Sequence, residues 1–344
     1  IPYSIIFQFF LSKKYKVYAR HGNEKKLSVR VFSNSDETFT LRTEVSKDMF
    51  EYILKNFKQI AIRGGELHLN KRFSGSLGNQ DTGSSKIAHK DKKDYTKSHI
   101  CELFGWDVKK KIACIYSHSL IDGNYLSGWR IFKDNLTWLR KTLNYIKNRD
   151  EYNWLVKPHP IEIVYAGKSK TDTIKELKLL NDLPHIKLAP KNISNQSLLN
   201  FTDLALTGSG SAALEYTSFG KKSLMAGRSY FTDILFKNKM PKTEIEYFNL
   251  LSNPELIEDI SQEQIDNAKI YTFIQWNLNL VDHPLNPDKF EPSHLFDEKL
   301  FWIDVVEKMK NYREEDDYFR EMLAYQFKNN LRHTPNLKVL NHAF

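Results

Sequence analysis

Cysteine is nearly absent from this chain: Cys101 and Cys114 are the only two in 344 residues. Two isolated thiols give no disulfide framework, and their spacing matches no metal-ligand pattern. They read as reduced thiols of a cytoplasmic protein, with peripheral attachment to the inner membrane face as a further expectation. Long apolar runs are missing too. No stretch reaches about 18 consecutive apolar residues, so no transmembrane helix is expected. The apolar opening IPYSIIFQFFL has neither a basic leader nor a small-residue cleavage site, so it does not read as a signal peptide. The first residue is not Met, and upstream sequence is expected to be missing. Neither an RNA-recognition signature, a zinc finger nor a helix-turn-helix is found, so nucleic acid is not an expected partner. His68, His89 and His99 show no ligand spacing.

Hydrophobic residues make up 41% of the chain, enough for sizeable cores, and the length fits two domains. The formal net charge of +9 suits anionic partners such as nucleotides or an anionic membrane surface.

The most informative stretch is 206–227, LTGSGSAALEYTSFGKKSLMAG. The apolar run 203–206 reads as a buried strand. Gly208, Ser209, Gly210 and Ser211 form a turn of small residues. Residues 212–219 read as a helix with Gly220 as its stop, and 223–227 as the next strand. This is a βαβ unit whose turn leaves backbone N–H groups free for an anion. Glu215 lies one helical turn past Ser211, placed to accept from ribose hydroxyls. Other segments repeat the pattern. The strand 111–116 ends at Ser117-His118, with Asp122 close behind, and an amphipathic helix follows over 132–146. The strand 153–156 closes on Lys157-Pro158-His159-Pro160, whose prolines fix the turn. A βα repeat from 111 to 227 predicts an open parallel sheet with helices on both faces. Ligands bind such sheets outside the carboxyl ends of the strands, where all these polar residues collect.

The rest is less regular. Residues 1–13 read as a buried helix, 15–20 and 27–32 as paired strands, and Ser46 as the N-cap of a helix over 47–57. His283-Pro284 reads as a loop with no strand before it. The expected organisation is a partial N-terminal, acceptor-side α/β domain over 1–69 and a flexible linker or loop over 70–105. A nucleotide-binding Rossmann-like domain over 106–290 and C-terminal helices packing back over 291–344 complete it.

Taken together, Ser117-His118 with Asp122, Trp138-Leu139, the segment WLVKPHP, and GSGS followed by Glu215-Tyr216 and Gly220-Lys221-Lys222 resemble bacterial capsule and surface polysaccharide biosynthesis proteins. These are Kdo-transferase-like glycosyltransferases of the GT-B fold, and the resemblance covers roughly 105–235. It implies a cytoplasmic enzyme moving a sugar from a nucleotide-activated donor, CMP- or UDP-linked, to a capsule or lipopolysaccharide acceptor, saccharide or lipid-linked. His159 would meet the donor phosphate or assist the leaving group, and Gly208–Ser211 would cradle that phosphate. Glu215 would hold the ribose, while Lys157 and Arg228 would neutralise charge as the nucleotide departs. Asp122 and His118 are the candidates for general base. Asp316-Asp317 fall in a charged helix rather than at a strand end, so no metal or other cofactor is expected. Two alternatives stand beside this reading: a CDP-polyol phosphotransferase or sugar-nucleotide epimerase of the same fold, and a non-catalytic basic scaffold touching an anionic membrane.

Overall fold

The structure, a computed structural model, describes residues 2–22, 26–33, 37, 44–77, 92–120, 130–163, 170–180, 182–236, 240–285 and 298–341. The chain divides into two compact units: residues 1–88 with 269–344, and residues 89–268. Among the described residues no helix is long and apolar enough to cross a membrane.

The first unit opens with the helix Pro2–Ser12. Strands β1 (Val17–Gly22) and β2 (Lys26–Phe32) then pair antiparallel, with Val17 opposite Phe32, as their alternation predicts. Ser46 caps the helix Lys47–Asn56 by accepting from the Met49 N–H. The helix Lys58–Phe73 follows, and here a glycine is required by space. A Cβ on Gly65 would lie 2.0 Å from the Lys269 carbonyl oxygen, so only a bare backbone fits.

The second unit holds a five-stranded parallel sheet: β3 (Lys111–Tyr116), β4 (Tyr152–Lys157), β5 (Ile186–Leu188), β6 (Leu204–Thr207) and β7 (Lys222–Met225). Their spatial order is β5-β4-β3-β6-β7. The mixed α/β, Rossmann-like class expected from the sequence is therefore present. Both sheet faces are buried, which explains the continuous apolar strands. Ala113, Ile115, Trp154, Val156, Leu204 and Leu206 pack on one side with the helix Asn135–Ile146. Ile112, Cys114 and Leu155 pack on the other with the helices Lys97–Phe104 and Asn195–Phe201. Asp134 caps the helix Asn135–Ile146, whose buried face carries Trp138 in addition to Leu139, Leu143 and Ile146. Within 70–105, one helix ends at Phe73 and another spans Lys97–Phe104, capped by Thr96 and closed by Gly105; residues 78–91 lie outside the described residues.

The chain returns to the first unit along the helix Gln262–Phe273, which runs into a single π-helical turn, Ile274–Leu278. Strand β8 (Val281–Asp282) pairs antiparallel with β2. Two sequence expectations are corrected here. A strand does precede His283-Pro284, but its two residues are too short to leave a periodic signal. The first helix is not buried: Ile6, Phe9 and Phe10 are exposed, and Leu11 is its buried anchor.

The close approach at Gly65 gives a direct test. Gly65→Ala is expected to lower the unfolding free energy by about 1–3 kcal/mol, the cost of overpacking a tight site. Leu67→Ala, at an exposed position of the same helix, should stay within about 0.5 kcal/mol. Urea denaturation of both variants checks the contrast.

Candidate anion site at the strand-order reversal

From β3 the chain adds β4 and then β5 on one side, then crosses to add β6 and β7 on the other. The connections from β3 and β6 therefore lead to opposite sides of the sheet, and the switch-point rule puts a ligand crevice above the carboxyl ends of these two neighbours. The loop after β3 carries Ser117, His118 and Ser119. The loop after β6 carries Gly208 to Ser211, leading into the helix Ala212–Ser218. The adjacent strand β4 contributes Lys157 and His159.

The structure brings four of the sequence-predicted residues together. His118 Nε2 lies 3.4 Å from Ser209 Oγ. A Cβ on Gly210 would sit 2.7 Å from Thr207 Oγ1 and 3.6 Å from His118 Cδ2, so this position accepts nothing larger than glycine without displacing Thr207. Thr207 Oγ1 accepts the Gly210 N–H at 3.0 Å and so holds the turn closed. The rings of His118 and His159 are nearly parallel, 20° apart with centroids at 6.1 Å. Ser117 Oγ accepts the His159 N–H at 3.2 Å and so ties the β4 loop to the β3 loop.

His118 has φ +65°, a left-handed conformation that costs a non-glycine residue about 1–3 kcal/mol. Its ring is fixed by a residue the sequence did not single out. Asn135 is buried, and its carboxamide has only one workable orientation. Oδ1 accepts from Arg130 Nη1 at 2.6 Å, and Nδ2 donates to the Ser119 carbonyl at 2.9 Å. Nδ2 also lies 3.2 Å from His118 Nδ1, and the Ser119 N–H points to the same nitrogen at 3.1 Å. Both are donors only, so Nδ1 must be the acceptor and the imidazole proton sits on Nε2. Burial pushes the His118 pKa down to about 4, with His159 and Arg130 acting in the same direction. At neutral pH His118 is thus an uncharged ring presenting an N–H, not a lone pair, toward Ser209.

Arg130 is the second residue the sequence reading missed. It pairs with Gly227 in an isolated antiparallel bridge. A Cβ on Gly227 would lie 3.2 Å from Arg130 Cγ and 3.5 Å from the Gly208 carbonyl oxygen. The guanidinium stem is therefore packed beside the small-residue turn. A signal for Asn135 was present in the sequence: it is a polar residue on the stripe shared with Trp138, Leu139 and Thr142, at the first turn of the helix. For Arg130 no pattern stood out, since it lies between the β3 loop and the helix in a segment without periodicity.

Lys157 ends β4 on the sheet face of Leu155, level with Tyr116 of β3. Burial lowers its pKa to about 8. The remaining candidates are more dispersed. Ser211 adopts helical backbone angles and makes no side-chain capping bond. Glu215 is partly buried on the same helix. Arg228 is buried and grips Asp233 Oδ2 through Nε and Nη2, at 3.3 and 2.7 Å. Asp122 lies outside the described residues. Among the described residues no group of three or more His, Cys, Asp or Glu side chains is placed to hold a metal ion.

Two measurements check the electrostatics. Long-range 15N–1H spectra at pH 7 should show His118 with Nε2 protonated and Nδ1 bare; the opposite tautomer would contradict the assignment. The depressed pKa also carries a stability effect. The unfolded chain takes up the His118 proton near pH 6.5, the folded chain only near pH 4. Stability is therefore full above about pH 6.5 and falls as the pH drops through that window. His118→Gln should flatten the acid limb of a urea-midpoint profile.

No protein-family profile matches the chain, and no curated protein matches it. Among solved structures, the chain is similar to KpsC of Thermosulfurimonas dismutans, a beta Kdo 2,4 transferase. The TM-score is 0.42 and the identity 12%, over 77% of this chain and 74% of that one. A likeness of this degree bears on neither family nor chemistry.

Proposed function

We propose that residues 89–268 bind the phosphate of a nucleotide-activated sugar at the β3/β6 crevice, and that the chain is a glycosyltransferase of GT-B type. Supporting this reading is the meeting, at one strand-order reversal, of a neutral imidazole N–H, a glycine-requiring turn and the Arg130 guanidinium. His118 Nε2–H, Ser209 and the Gly208–Ser211 backbone are the donors. Arg130 supplies positive charge close to His118, and Lys157, the last residue of β4, is the proposed second cation.

The chemistry asks for this set. Breaking the bond between a sugar and its nucleotide leaves negative charge on the departing phosphate and positive charge on the sugar. Donors fixed before the reaction stabilise that phosphate without reorganisation. A neutral His118 suits the task, because it can donate without demanding a counter-ion in the resting site. His159, stacked beside it, is the second ring that can reach the phosphate, and Glu215 is the group proposed to hold ribose hydroxyls. The acceptor in this reading is a saccharide or lipid-linked saccharide of a cell-surface polymer. The donor base is proposed as cytidine or uridine, and the transfer as metal-independent. Arg228, paired with Asp233, is assigned to shaping the loop after β7 and to charge neutralisation only if that pair opens.

A thermal-shift panel with CMP, CDP, UMP, UDP, GDP and ADP tests the reading. A ligand present at 100 times its Kd stabilises the native state by about 2.7 kcal/mol, a readily measured rise in Tm. We expect one pyrimidine nucleotide to produce it, and a Ser209→Ala, His159→Ala double variant to lose it while keeping its ligand-free Tm. With the correct donor and acceptor, His159→Ala alone should cut kcat by on the order of 100-fold. No Tm response to any nucleotide would favour the scaffold reading instead.

A further inference from the structure

The first unit carries an exposed surface that the nucleotide reading does not use. On the helix Pro2–Ser12, Ile6, Phe9 and Phe10 face solvent, with Phe9 56% exposed, and Tyr15 just beyond it is 61% exposed. These rings touch one another: Phe9 and Phe10 at 5.7 Å between centroids, Phe10 and Tyr15 at 5.9 Å. On the neighbouring strand β1, exposed Tyr18 meets exposed Phe327 edge-on at 5.4 Å. An apolar, aromatic surface of this kind has a cost in water that single exposed side chains do not.

Along this stretch of sequence the charge has one sign. From residue 1 to residue 22 the sequence holds no Asp or Glu. Lys13, Lys14, Lys16 and Arg20 are all exposed along the same stretch, and the Lys13 ammonium lies 5.9 Å from the Phe9 ring centre. Aromatic and aliphatic side chains bordered by lysines are what an amphipathic helix needs to lie in the headgroup layer. The rings enter the acyl boundary, and the ammonium groups meet anionic phosphates. A second copy of the chain is a poorer occupant, because a two-fold contact through this face would set Lys13, Lys14 and Lys16 against their own copies. Another exposed apolar stripe supplies a contrast. Trp302, Ile303, Val306 and Met309 lie along the helix Glu298–Met309, but Asp304 and Glu307 interrupt it.

We propose that the face built from the helix Pro2–Ser12 and the strand β1 docks the protein on an anionic lipid bilayer. Ile6, Phe9, Phe10 and Tyr15 are the inserting groups, and Lys13, Lys14 and Lys16 the phosphate contacts. This stands independently of whether residues 89–268 bind a nucleotide.

The test is co-sedimentation of the full chain with vesicles of phosphatidylethanolamine and phosphatidylglycerol, and with vesicles of phosphatidylcholine alone. The chain should partition strongly into the first, weakly into the second, and less into the first as salt rises. Phe9→Ser with Phe10→Ser should reduce partitioning at least about 10-fold, losing apolar area. Lys13→Ser, Lys14→Ser and Lys16→Ser together should reduce it by on the order of 10- to 100-fold and remove the salt dependence. The lysine variant changes only exposed side chains, so it keeps the test valid if the aromatic variant unfolds. Val306→Ser should bind as the parent does. Equal partitioning into both vesicle types would overturn the proposal. So would parental binding by the lysine variant, or an equal loss in Val306→Ser. A concentration-dependent dimer abolished by the Phe9, Phe10 change, without vesicle binding, would overturn it in favour of self-association.

Discussion

The reversal of strand order between β3 and β6 is the constraint from which the rest of the second unit follows. Two adjacent parallel strands cannot both be followed by loops that cover their own ends when the chain leaves in opposite directions. The uncovered edge is where backbone N–H groups and strand-end side chains point with no partner from the next strand. Register makes the edge level: Tyr116 stands beside Lys157 on one side and beside Thr207 on the other. The residues that follow these three positions therefore emerge at one height, and His118, His159 and Ser209 meet without any long excursion of the chain.

Alignment alone would leave these groups free to rotate. Asn135 converts alignment into a defined chemical state. It engages Arg130 through its oxygen, and the β3 loop and His118 through its nitrogen. Because a guanidinium can only donate and a carbonyl can only accept, the amide orientation and the imidazole tautomer are decided together. Burial then keeps the ring uncharged. The result is a rigid N–H donor close to the Arg130 guanidinium. The left-handed backbone at His118 fits the same account: local strain is held at the residue whose side-chain direction matters most.

Much of this unit was legible in the sequence because its signals are local. Continuous apolar strands such as IACIY need two covered faces, and prolines after Lys157 force a stop. A turn of Gly and Ser between a strand and a helix announces itself. Asn135 left a trace, a polar residue on the apolar stripe of its helix, but its role and that of Arg130 arise from contacts between the β3 loop, a helix start and the β7 loop, none of which is periodic. The first helix was misread for a related reason. Crowded apolar residues imply burial only if the fold supplies a partner; here Leu11 is covered while Ile6, Phe9 and Phe10 are exposed. Val281–Asp282 escaped because a two-residue strand is defined by pairing with β2, not by its own pattern. The stretch around Gly65 shows the converse: paired glycines in a helix look like weakness in sequence, yet the space against Lys269 leaves no alternative.

An anion held as proposed would meet the loops after β3, β4 and β6 together. The most direct measurement is hydrogen–deuterium exchange, read by mass spectrometry, with and without a saturating pyrimidine nucleoside diphosphate. Protection should appear together in peptides covering 117–119, 157–160 and 207–212, and the sheet strands beneath should stay unchanged. Protection confined to other segments, or none at saturating nucleotide, would contradict the assignment of the crevice.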